Sequence, residues 1–211
     1  SAIFCASSFL AQEIWMTPNT GQWDTRIHYS VELTIGKLFL QKDGMCFMLT
    51  DFMAHGEGHD HHHSHDHDHQ EAQRLHVIHQ KFIGANTEAK KQNSNPSPDL
   101  KNYFIGKDSS KWKSNIHSYN EVHYKGFYDK VDLIYKGENG QLSYNFLIAP
   151  GADVSQIKWN FDGAKKVFIK NGLLLISNRF GTIEQSVPMA YEIDESGHKS
   201  NIKINYQKNG E

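Results

Sequence analysis

The sequence predicts an all-β protein, an antiparallel β-sandwich interrupted by a long histidine-rich loop expected to be disordered. Three observations predict it. Short runs alternate polar and apolar residues with a period of two. Asp-Gly and Asn-Gly pairs punctuate those runs at hairpin spacing. Segments with helical periodicity are essentially missing from the 211 residues.

Residues 25–35 alternate strictly, with Ile27, Tyr29, Val31, Leu33 and Ile35 on one face and Arg26, His28, Ser30, Glu32 and Thr34 on the other. Gly36 ends that run, and residues 37–42 and 45–50 flank Asp43-Gly44, a strong hairpin signal. Residues 54–73 are low in complexity and read as a loop. Residues 75–83 are strand-like again. The segment 86–100 is polar with two prolines, Pro96 and Pro98, and reads as a second inserted loop.

Beyond residue 103 the strand signals crowd together. Runs at 119–124, 131–136 and 141–148 come first, the last two joined by Glu138-Asn139-Gly140. Leu142, Tyr144, Phe146 and Ile148 share a face, and Ile157, Trp159 and Phe161 alternate as core residues. Runs at 166–170 and 173–177 flank Asn171-Gly172, and further strands are expected at 182–187, 189–193 and 202–206. Strands of this length and spacing indicate a sandwich or barrel-like stack. Residues 26–49 and 156–176 follow a similar plan, so two related halves stay open as an alternative. The expected organisation is a signal-peptide remnant over 1–12 and a single β domain over 13–211. That domain carries insertions at 54–73 and 86–100 and is truncated at its C-terminal edge.

Net charge is -2, with no concentrated basic face, so a nucleic-acid partner is not expected. Residues 1–12 are apolar, small and uncharged, like the end of a secretory leader. No later stretch is long and apolar enough for a membrane-spanning helix. The expected location is therefore secreted or on the outer cell surface. Cys5 and Cys46 are the only cysteines; Cys46 lies in an apolar run and reads as a small buried hydrophobe rather than part of a disulfide framework.

Several blocks together carry a resemblance: Gly21-Gln22-Trp23-Asp24, the run from Leu38 to Gly44, Asn102-Tyr103-Phe104-Ile105-Gly106, Ser110-Lys111-Trp112 and Asp132-Leu133-Ile134-Tyr135. The most specific is the run from Leu142 to Asp153, with its Ala149-Pro150-Gly151-Ala152-Asp153 end. This set resembles the uncharacterised N-terminal β domain that precedes SBBP repeats, PKD-like modules and gliding-motility-associated regions in large exported proteins of Bacteroidota. The resemblance spans about residues 19–207. It implies export, often by the type IX route, and work alongside neighbouring domains of the same protein; it brings no catalytic residues. The chain departs from the pattern at Asp129-Lys130, where proline and glycine are common, and at Lys107, where asparagine is usual.

Function is expected to be non-catalytic: a structural or interaction module touching neighbouring domains, extracellular polysaccharide or surface proteins. The HExxH, GxSxG and phosphate-loop patterns are missing from the sequence. Asp132, Asp153 and Asp162 read as surface acids, with Asp153 capping a turn. Trp112 and Tyr119 flank the polar run 113–118, read as loop, and are the candidate residues for stacking a sugar. Residues 55–69 hold eight of the fourteen histidines together with Glu57, Asp60, Asp66 and Asp68. His59, His61, His62, His63, His65, His67 and His69 are candidates for weak binding of zinc, nickel or copper, without the rigid frame of a dedicated site. No other cofactor is expected.

Overall fold

The computed structural model describes residues 13–51 and 74–209, with backbone alone over residues 2–7. Its strands are β1 (Ala2–Ser7), β2 (Met16–Pro18), β3 (Ile27–Leu33), β4 (Gly36–Gln41), β5 (Gly44–Thr50), β6 (Leu75–Phe82), β7 (Lys90–Tyr103) and β8 (Lys113–Tyr128). They continue as β9 (Val131–Glu138), β10 (Gln141–Ile148), β11 (Trp159–Asp162), β12 (Lys166–Lys170), β13 (Leu173–Ser177), β14 (Thr182–Gln185), β15 (Met189–Ile193) and β16 (Lys199–Ile202). Every pairing among them is antiparallel, and the described residues include no α-helix. The protein is all-β and sandwich-like, as its alternating pattern indicates.

The main path runs β11-β6-β5-β4-β3-β2-β8-β9-β10-β1-β14-β13-β12. Strand β8 is the branch point. Tyr119 pairs with Met16 of β2, whereas residues farther along β8 pair with β9. The sheet therefore splits into two leaves that fold over one another. Phe82 on β6 packs edge-on against Phe127, Tyr144 and Phe146 at centroid distances of 5.5, 5.8 and 5.6 Å, joining the two leaves through side chains. Between them lies a closed polar triad. Gln80 donates to the Tyr144 hydroxyl (3.3 Å), Tyr144 donates to Gln185 (2.9 Å), and Gln185 donates back to Gln80 (2.7 Å). All three residues are buried, and their mutual bonds remove the desolvation cost that buried amides would otherwise carry.

The predicted inward faces are found. Tyr29, Val31 and Leu33 of β3 and Leu142, Tyr144, Phe146 and Ile148 of β10 are buried. The hairpin signals behave differently from one another. Asn139-Gly140 and Asn171-Gly172 take positive φ at both residues, the left-handed pair that a tight two-residue hairpin demands. At Asp43-Gly44 the hairpin exists, but its loop is Lys42-Asp43, because Gln41 pairs with Gly44. Gly44 is instead a strand residue that must lack a side chain: a Cβ there would collide with the Gln80 carbonyl oxygen on β6.

The segment 86–100, expected as an inserted loop, needs correction. From Lys90 it is strand β7, paired with β8 along its length. Its composition misleads because an outer strand with both faces largely solvated has the polarity of a loop. Pro96 and Pro98 are accommodated by a register shift between Pro96 and Leu100. The run 113–118 is likewise strand, the start of β8. The two segments with a shared plan pair differently: β3, β4 and β5 are consecutive neighbours, whereas β11 pairs with β6 and β12 with β13.

Candidate functional site

The long β7–β8 hairpin carries an apolar tip. Leu100, Phe104, Ile105 and Trp112 are 46, 62, 57 and 43% exposed. The connection is held in one shape by local bonds. The Trp112 indole N–H donates to the Gly106 carbonyl (3.2 Å), and Phe104 meets the Trp112 ring edge-on at 5.7 Å. Gly106 has φ +73°, which turns the chain beneath the indole. Asp108 caps the short 3-10 turn Ser109–Lys111, accepting from the Ser110 amide (3.1 Å) and hydroxyl (2.6 Å). Those bonds hold its carboxyl below the usual carboxylate range. At the base, Trp23 meets Tyr103 edge-on at 5.1 Å. The stretch 101–113 carries Lys101, Lys107, Lys111 and Lys113, with Asp108 as its acid; Lys101 donates to the Thr17 hydroxyl (3.2 Å) and Lys113 to the Ser110 carbonyl (3.2 Å).

Trp112 is exposed at this tip, and the other sequence candidate does not join it. Tyr119 is seven residues along, roughly 20 Å of extended chain away, and half-buried beside Met16 and Pro96. The residues that accompany Trp112 are Phe104 and Ile105. They were legible only as part of an apolar run; nothing in their spacing reveals that the chain doubles back through Gly106. The histidine candidates His59 to His69 lie outside the described residues. Among the described residues, no three of His, Cys, Asp or Glu gather as metal ligands.

A second feature sits at the seam where the two ends of the sheet face each other. A groove of about 720 Å³ opens between β11 and the β12–β13 hairpin, and residues 204–209 return along it. Trp159, placed by its alternation in the core, is half-buried here: one edge meets Phe82 (6.0 Å), and Tyr206 meets it at 6.1 Å. Tyr206 is tied down by its hydroxyl, which donates to the Ser186 carbonyl (2.9 Å).

A family model for a domain of unknown function, DUF7948, matches residues 16–211. The chain belongs to this family. No curated protein and no solved structure matches it. Both the hairpin tip and the seam groove of this DUF7948 domain fall inside the matched residues.

The polar groups elsewhere in the DUF7948 domain are mostly engaged in shaping the sheet. Asp132 accepts from the His123 ring (Nε2, 2.9 Å) and from the Gly126 amide (2.7 Å), fixing the bulge where β8 and β9 shift register. Asp153 accepts from the Ser155 amide and hydroxyl, both at 2.9 Å, capping the turn Val154–Gln156 as its Pro-Gly-Ala-Asp setting predicts. Cys46 is buried, and burial raises its thiol pKa, which suits a packing role. His28 is the exception in kind. It stacks on Tyr124 (5.8 Å between centroids), with Nδ1 3.1 Å from the tyrosine hydroxyl. Burial, then Lys91 and Lys42, push its pKa down to about 4, opposed by Glu88. Its imidazole is neutral at ordinary pH, in a shallow cleft with Trp23 at the rim.

Proposed function

We propose that this domain is a non-catalytic interaction module of a larger exported protein, working outside the cell, and that the β7–β8 tip is its contact surface. The observation that supports the reading is an apolar group presented on a bonded, preshaped turn. Phe104, Ile105 and Trp112 are held out toward water at a cost that a binding partner would repay. Aromatic faces on a turn that also carries Lys107 and Lys111 suit an acidic polysaccharide: rings stack on sugar, and ammonium groups meet carboxylate or sulfate. Export is supported by the resemblance to front domains of large surface proteins.

The test is a glycan array that includes uronate-bearing and sulfated polymers, with the domain compared to Trp112→Ala and Phe104→Ala. The expected result is binding to acidic polymers, weakened at least tenfold by either change while the melting temperature stays within a few degrees. Undiminished binding in both variants would refute the tip as the contact.

A second activity is proposed for the histidine tract on composition alone. Equilibrium dialysis with zinc should find binding in the intact domain that disappears on deletion of residues 55–69. Equal binding by both forms would remove the proposal.

A further inference from the structure

The seam groove differs from the tip in shape and chemistry. Its volume of about 720 Å³ falls within the range of small-molecule sites. One wall is Ile157, Trp159 and Phe161; the other is Val167, Ile169 and Leu174. These side chains come from strands at opposite ends of the sheet path, β11 and β12–β13, which have no hydrogen bonds to each other. The gap is therefore built by the curl of the whole sheet rather than by a local loop. Such an apolar trough exposes surface to water that folding alone has not covered.

Charge narrows the choice of occupant. Among the described residues that line the groove, the charged groups are Lys158 and Lys208, and none is a carboxylate. Asp153 stands just outside the lining, near Lys158, and is occupied with Ser155. An apolar trough with a cationic rim complements a molecule that has a hydrocarbon body and one negative end. A sugar polymer would leave the aliphatic wall unmatched, and a cationic head would find only neutral polar groups such as Asn160 and Asn205 beside the two ammonium groups that repel it.

We propose that the seam groove binds a single-chain amphiphile with an anionic head, of the long-chain carboxylate class. The tail packs between the two apolar walls, and the carboxylate is met by Lys158 and Lys208. Tyr206, held by its bond to Ser186, keeps residues 204–209 in place as the third side.

Calorimetric titration with sodium dodecanoate, below its micelle concentration, tests this on the full chain. Dodecyltrimethylammonium serves as the same tail with the opposite head. The expected result is saturable dodecanoate binding at least tenfold tighter than that of the cationic analogue. Val167→Trp, which fills the trough, should abolish it; Ile169→Trp, at a more exposed position, does the same if the first variant fails to fold. The double change Lys158→Glu with Lys208→Glu should weaken dodecanoate at least tenfold and improve the cationic analogue. Absence of dodecanoate binding, equal affinity for both heads, or unchanged affinity in the filled variants would each overturn the proposal.

Discussion

His28 shows how one side chain links burial to pH. Its ring is pressed against Tyr124 and faces Lys91, Lys42 and the single acid Glu88. In the unfolded chain it takes up a proton near the ordinary value of 6.5, whereas the folded chain resists until about 4. Between those values the unfolded state binds more protons. The stability contribution is therefore fully present above about pH 6.5 and is lost as pH falls toward 4. Because the ring is only half-buried, solvent screening cuts the effect to about 1–2 kcal/mol. Urea unfolding at pH 7 and pH 4.5 should show a loss of that size in the natural chain that is absent in His28→Phe. An equal loss in both would show that another group carries it. Nothing in the sequence marks this histidine apart from its place on the polar face of an alternating strand. Its environment is made by Lys91 and Glu88, sixty residues away along the chain.

At the scale of the strand pair, turns decide how well the elements fit. The β8–β9 turn is Asp129-Lys130, where Tyr128 pairs with Val131 and Lys130 takes φ +58°. A two-residue turn with its second residue left-handed is the setting in which glycine is favoured. Lys130 holds that conformation against the steric cost of its Cβ. Lys130→Gly should therefore stabilise the domain by up to about 1 kcal/mol, after allowance for the looser unfolded chain. A shift of the urea midpoint to higher concentration checks it; a shift to lower concentration would mean the lysine contributes contacts of its own. The turns at Asn139-Gly140 and Asn171-Gly172 were legible because their dipeptides dictate φ directly. Strand β7 was not, because an outer strand gains its partner from β8 rather than from any pattern of its own.

For the molecule as a whole, the curl of the sheet rests on contacts that cross between leaves. Phe82 touches Phe127, Tyr144 and Phe146, which lie on strands far from β6 in the sheet path, and Trp159, its cross-strand partner on the neighbouring β11. Phe82→Ala should cost about 3–5 kcal/mol and lower the melting temperature by roughly 10 °C for a chain of this size. Calorimetry should still give a single transition, since both leaves share one core; two separate transitions would mean the leaves fold independently. The all-β class and the inward faces were readable from period alone. The branch at β8, the seam and the pairing of Trp112 with Phe104 were not, because each depends on which distant strand arrives alongside.

Strand β1 has one further consequence. Its main chain pairs with β10 over residues 2–7 and, on its other side, with Met189, Ala190 and Tyr191 of β15. It fills a strand-wide gap whose flanking amides and carbonyls have a ready direction and register. A chain lacking those six residues would leave that gap lined with idle donors and acceptors, and any extended segment of suitable sequence could be threaded into it. A molecule shortened in this way would accept its missing strand from outside, and an added peptide with the sequence of residues 2–7 would complete it.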